Sequence, residues 1–226
     1  MTAAKFPGDP VTERNQEATD GLATRGTRTI IEFYFDFSSP YGYFASTRVD
    51  DLAADFGRTA VWKPILLGVV FKETDMRPLA DIPIKGDYAK HDWERMGRMM
   101  DVPYRLPSKF PVATQAAARV FYWLDDRDSG LARLFAKSAF HAYFAENVDI
   151  SIPAAVVDIA AALHVDRDEL SHALQSPAIK ERLRTETMNA IGKGVFGSPF
   201  FFVNGEPFWG SDRMWMVKKW MQGENW

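Results

Sequence analysis

The chain has no cysteine among its 226 residues. That absence excludes disulfides, thiol redox chemistry, thiolate-held zinc and iron–sulfur clusters. A surplus of positive charge is missing as well. Its 27 Lys and Arg stand against 30 Asp and Glu, for a formal net charge of −3. A binder that neutralises many nucleic-acid phosphates needs the opposite balance, so no nucleic-acid partner is expected. No apolar run reaches the roughly 20 residues that a membrane-spanning helix requires. Residues 1–28 lack an apolar h-region and mix acids with bases, which fits neither a secretory signal nor a transit peptide. A cytoplasmic protein is the resulting expectation. His91, His141, His164 and His172 show no metal-ligand spacing, so no metal site is expected. No GxSxG is present, which leaves a serine hydrolase unsupported.

What remains is an ordinary globular composition, 46% hydrophobic and 25% charged. The length suits one large domain, or one domain carrying an insertion. Residues 1–28 read as a flexible polar tail. Phe33, Phe35 and Phe37 then alternate with Tyr34 and Asp36, the period-2 pattern of a strand over Thr29–Phe37. Ser39 stands where a helix N-cap belongs and Pro40 at the first helical position. The spacing predicts one helix to about Phe56, stopped by Gly57, and a second strand over Thr59–Leu67. Strand, helix, strand in this order favours a parallel βαβ unit.

The next stretch is rich in proline, with a helix predicted from about Tyr88 to Met100. After Pro111 the pattern is helical for some eighty residues. Asp166 with Glu169 resembles a capping box, and Ser176-Pro177 another helix start. Phe121-Tyr122-Trp123 reads as core or dimer contact, and Asp125-Asp126-Arg127-Asp128 as a solvated turn. Strand character returns at Ser198–Val203. Asn204-Gly205 is a type I′ hairpin signal, and Glu206–Trp209 is an edge strand marked by Pro207. Arg213–Met221 is the last helix.

Three short constellations carry chemical interest. At Ser39-Pro40-Tyr41-Gly42, unpaired amides and a hydroxyl meet at a helix start, where negative charge is favoured. On this motif alone a plain helix cap is the simpler reading. At Gly197-Ser198-Pro199, a proline opening a strand can be cis, which leaves the Ser198 backbone ready to pair with an extended, peptide-like ligand; an ordinary trans proline in a turn is the plain alternative. At Gly210-Ser211-Asp212-Arg213, amides and the Ser211 hydroxyl suit a carboxylate, and Asp212 suits an ammonium. Each residue there is equally well explained as a helix-start residue. Gly192–Gly197 matches GxGxxG, but it follows a helix and opens a strand, the reverse of a nucleotide fingerprint.

Taken together and in this order, these segments resemble the 2-hydroxychromene-2-carboxylate isomerase and kappa-class glutathione transferase family. The likeness rests on Phe-Asp-Phe-Ser-Ser-Pro-Tyr at 35–41, Phe-Lys-Glu-Thr at 71–74 and Pro-Ile-Lys-Gly-Asp-Tyr at 83–88. Val-Phe-Gly-Ser-Pro at 195–199 and Phe-Trp-Gly-Ser-Asp-Arg at 208–213 complete it. The resemblance implies an α/β fold, a thioredoxin-like domain (29–80 and 188–226) interrupted by an all-helical insertion domain (81–187). It implies glutathione as cofactor, an aromatic small-molecule substrate and a homodimer. Ser39 then corresponds to the serine that hydrogen-bonds the glutathione sulfur. Lys85 belongs to the glutathione site, near the sulfur or an anionic group of the substrate. Pro199 matches the cis proline, and Ser198 pairs with the cysteinyl backbone. Ser211 and Asp212 grip the γ-glutamyl end, with Arg213 beside them. The implied activity is a glutathione-dependent isomerisation. A kappa-like transferase or peroxidase, and a non-catalytic binding protein of the same fold, stay open. Thr74-Asp75-Met76 departs from the family's usual Thr-Gly-Asn, and Gly42 replaces a frequent serine.

Overall fold

The computed structural model describes residues 30–224. The polar tail expected over 1–28 lies outside the described residues. The first strand, β1, covers Ile31–Phe35 and leads into α1, Pro40–Ser46. A second helix, α2 (Val49–Ala54), precedes β2 (Ala60–Pro64). The expected single helix over 40–56 is therefore two. Ser46 Oγ donates to the Tyr43 carbonyl at 2.6 Å and Thr47 Oγ1 to the Phe44 carbonyl at 2.8 Å. Hydroxyls that take up carbonyls in this way compete with continuation of the helix.

The second strand also ends earlier than the pattern predicts. Leu67 opens a helix, α3 (Leu67–Thr74), rather than closing a strand. No local side chain caps α3. Its cap comes from Asp36, whose Oδ2 accepts from the Leu67 N–H at 2.8 Å. The helical block follows as α4 (Lys85–Met100), α5 (Gln115–Asp125), α6 (Ser129–Phe144), α7 (Pro153–Ala161), α8 (Arg167–Gln175) and α9 (Pro177–Gly192). Asp166 caps α8 as expected, accepting from the amides of Asp168 and Glu169. Ser176 does not cap α9 with its side chain. Pro177 with its fixed φ starts that helix instead.

The chain then returns to the sheet with β3 (Phe200–Val203) and β4 (Glu206–Trp209), and ends in α10, Met214–Met221. A short 3₁₀ turn over Ser211–Arg213 replaces the expected first turn of that helix. Asn204 and Gly205 have φ of 54° and 88°, the two left-handed residues that a type I′ turn demands. Sheet order is β2-β1-β3-β4. β1 runs parallel to β2 and antiparallel to β3, and β3 pairs antiparallel with β4.

β1 turns Phe33 and Phe35 to one face and Tyr34 to the other. Phe33 meets Trp62 edge-on at 5.0 Å, and Phe35 and Phe37 reach Phe140 of α6 at 5.5 and 5.1 Å. One continuous buried cluster thus joins the sheet to α5 and α6. Phe121 and Tyr122 lie inside it, as core. On the opposite face, Tyr34 and Phe200 pack with Ile65, Val70 and Ala190. Asp125 and Asp126 are not merely solvated, since both pair with Arg182 of α9.

Candidate active site

The site is built where β1 ends. Ser39 has an extended backbone (φ −98°, ψ 113°), the geometry of an N-cap, and its Oγ accepts from the Gly42 N–H at 3.1 Å. Its hydroxyl proton is used too: Ser39 Oγ donates to the Ser198 carbonyl at 3.0 Å. The Ser198–Pro199 peptide is cis. Ser198 Oγ in turn accepts from the Asp36 N–H at 3.0 Å, and the Pro199 carbonyl accepts from the Gly210 N–H at 3.0 Å. Three segments far apart in sequence are thereby tied to one helix start.

The Ser198 carbonyl already accepts from Ser39, which leaves it one lone pair for a second donor. A hydroxyl only 6% exposed seeks an acceptor inside the protein, and this carbonyl is within reach. An incoming anion at Ser39 must therefore replace the carbonyl as the acceptor of that proton. Charged acceptors form hydrogen bonds roughly twice as strong as neutral ones, so the exchange is favourable for an anion.

Asp36 is the residue that motif reading missed. It is 4% exposed, yet its Oδ1 accepts from the Ser38 N–H at 2.8 Å and from Thr114 Oγ1 at 3.1 Å, while Oδ2 caps α3. Burial raises its pKa above the ordinary 3.8, with the three hydrogen bonds opposing. It links the approach to α1 with the first residues of α3 and α5. The signal was present as an acid ending an otherwise aromatic strand.

Tyr41 forms the floor beside Ser39. Its phenol donates to Asp92 Oδ2 at 2.9 Å, and Trp93 packs edge-on against its ring. Burial, then the Asp92 contact, pushes the phenol well above its usual range, with Tyr88 and Asp212 adding to the rise. Two elements pack on α1 around this tyrosine. One is the N-terminal half of α4, where Lys85, Tyr88 and Asp92 share a stripe at i, i+3 and i+7. The other is the Ser211–Arg213 turn, which packs on α1. The Lys85 ammonium has no ion-pair or hydrogen-bond partner among the described residues, whereas Asp212 is paired with Arg213. An exposed pair of this kind contributes little and yields readily to a competing charge. Gly210 permits the turn, at a φ of 106°.

The two family departures have structural counterparts. Asp75 ends α3 in the left-handed region at φ 53°, a conformation that Asp tolerates after Gly and Asn. A Cβ on Gly42 would lie 2.9 Å from Ser198 Oγ, so the missing side chain makes room for that hydroxyl. Two open grooves lie elsewhere, on either side of Val102-Pro103, and neither is lined by Ser39, Ser198 or Ser211. Among the described residues no group of His, Asp and Glu could hold a metal ion, and no helix is long and apolar enough to cross a membrane.

Residues 30–222 match the DsbA-like thioredoxin domain. The chain belongs to the DsbA-like thioredoxin family. Within that family, it is 29% identical over 191 residues to a 2-hydroxychromene-2-carboxylate isomerase of Pseudomonas putida, covering 84% of this chain and 92% of the relative. It is 28% identical to a glutathione S-transferase kappa 2 of Caenorhabditis elegans over 200 residues, covering 83% and 89%. A solved 2-hydroxychromene-2-carboxylate isomerase superposes with a TM-score of 0.78 at 30% identity, covering 86% of this chain and 95% of that one. The chain is thus a thioredoxin-fold relative of isomerases and kappa transferases.

Proposed function

We propose that this protein is a glutathione-dependent isomerase of aromatic carboxylates of the 2-hydroxychromene-2-carboxylate type. The observation that carries the reading is the Ser39 hydroxyl at the head of α1, held against a cis-prolyl strand start and a Ser-Asp-Arg turn. These donors fit a tripeptide thiol. Ser39 and the Tyr41 N–H offer hydrogen bonds to an anionic sulfur, Pro40 having no N–H and the Gly42 and Tyr43 amides already donating to Ser39, and the 211–213 turn offers both charges an amino-acid end needs. Glutathione, when bound, supplies a thiolate that adds reversibly to a conjugated carbon and is released unchanged after bond rotation.

The protein's part is electrostatic and positional. Ser39 turns its proton from the Ser198 carbonyl to the sulfur and holds the sulfur ionised. The Ser198 carbonyl, with a second lone pair, accepts from a ligand's backbone N–H. Asp212 exchanges Arg213 for the ligand's ammonium, and Ser211 donates to its carboxylate. Lys85, which has no ion-pair or hydrogen-bond partner among the described residues, orients the substrate carboxylate. The same reading places the protein in the cytoplasm as a homodimer, which sedimentation of the purified chain checks.

The test is absorbance of a 2-hydroxychromene-2-carboxylate with and without catalytic glutathione. Turnover with no net loss of thiol supports isomerisation. Stoichiometric thiol loss supports the transferase alternative, which the kappa-class relatives favour. Ser39→Ala should lower kcat by about 10²-fold, the scale of losing one donor to a developing charge. An unchanged rate in that variant removes Ser39 from the chemistry.

A further inference from the structure

Ile84 opens α4 in a conformation that its side chain opposes. Its φ of 69° and ψ of −53° lie in the left-handed half of the backbone map, and the Lys85 N–H bonds back to the Pro83 carbonyl at 2.8 Å. This is a γ-turn of the positive-φ kind, which is rare and strained. A β-branched residue at positive φ is an outlier in its own right. Glycine would hold the turn without cost. Nor does burial offset the strain, because Ile84 is 88% exposed. Nothing inside the chain is gained by having isoleucine here.

The surroundings indicate what is gained. The next residue is Lys85, whose ammonium has no ion-pair or hydrogen-bond partner among the described residues. One turn on, the Tyr88 N–H bonds to the Ile84 carbonyl at 3.3 Å, and the Tyr88 ring is 62% exposed. Two largely exposed side chains, Ile84 and Tyr88, thus flank the Lys85 ammonium on the stripe that leads to Asp92 and Tyr41, with the Arg95 guanidinium 5.9 Å from the centre of the Tyr88 ring. The turn itself is held in place: the Gly86 N–H bonds to the Ile82 carbonyl at 2.8 Å, and Gly86 lies against the Ala80 carbonyl.

We propose that Ile84 is a specificity-determining residue which, with Tyr88, grips the ring of a flat aromatic carboxylate whose anionic end sits on Lys85. This deepens the function proposed above and rests on it for the identity of the substrate. Strain kept at an exposed turn beside a site is the form that ligand-directed backbone distortion takes.

The experiment titrates the full chain with 2-hydroxycinnamate, an aromatic carboxylate that probes this wall without glutathione, and separately with glutathione. Ile84→Gly should weaken 2-hydroxycinnamate binding about ten-fold, the scale of one lost aliphatic contact. The same variant should leave glutathione affinity unchanged and raise Tm by about 2–4 °C as strain is released. Ile84→Leu, which keeps the apolar bulk, should bind within two-fold of the parent. If the parent chain does not bind 2-hydroxycinnamate, or if Ile84→Gly binds it equally well, the proposal is overturned. A change confined to sedimentation overturns it in favour of a subunit contact. Binding of 2-hydroxycinnamate that Ile84→Gly weakens, without any binding of glutathione, supports the role of Ile84 while removing the isomerase reading.

Discussion

At the scale of single residues, Asp36 decides whether the site exists. Its two carboxylate oxygens accept three hydrogen bonds in a place that water barely reaches. An amide has one acceptor oxygen and would set an N–H against one of those donors. Asp36→Asn should therefore cost about 1–3 kcal/mol of stability, read by urea unfolding. The pH dependence has a definite sign. Burial raises this carboxyl above 3.8, so the folded protein holds a proton that the unfolded chain has already lost. Its contribution is full below 3.8 and falls as pH rises through the folded value. The stability gap between parent and Asp36→Asn should narrow over that window. A gap that widens instead would show the carboxyl to be held below its ordinary value. Gly42 illustrates the same economy: a small residue is present because Ser198 Oγ occupies the space its Cβ would need.

At the scale of elements, the 3₁₀ turn over Leu79–Asp81 and the start of α4 are locked by a close approach of backbones. A Cβ on Gly86 would collide with the Ala80 carbonyl. Neither partner is a flexible side chain, so Gly86→Ala should destabilise by about 1–3 kcal/mol and displace Lys85. Thermal unfolding checks the first effect, and weaker 2-hydroxycinnamate binding the second. Much of the element order was legible in the residues. The Phe33–Phe35–Phe37 alternation marks β1, Asn204-Gly205 marks the hairpin, and Ser39-Pro40 marks the start of α1. Most of what escaped was non-local. α3 carries no cap of its own and depends on Asp36, just beyond β1. The α1–α2 break is the local exception, where hydroxyls at 46 and 47 bond back to the preceding turn. In the site, Ser39, Ser198 and the 211–213 turn could be picked out as motifs. Their mutual bonding could not, because hydrogen bonds spanning some 160 positions have no sequence spacing. Ile84 drew no notice, since isoleucine is ordinary everywhere except at positive φ.

At the scale of the whole molecule, the sheet and the helical block share one core. Phe35 touches Trp62 on one side and Phe121 and Phe140 on the other. Phe35→Ala should cost about 3–5 kcal/mol. Because the buried cluster is continuous, calorimetry should show one transition moving down in temperature, rather than one of two. Two separable transitions would mean that residues 81–187 fold as an independent unit. The long-range pairing has a further consequence for how the protein is made. β1 is flanked by β2, which follows it closely, and by β3, which arrives at the far end of the chain. A chain still short of Phe200 on the ribosome carries β1 with one side bare and Ser39 without its carbonyl partner. Closing so long a loop is entropically the slowest sheet contact to form. The ties among Ser39, Ser198 and Gly210 therefore form only when synthesis is nearly over, and premature termination anywhere in the helical block yields a nascent chain without them.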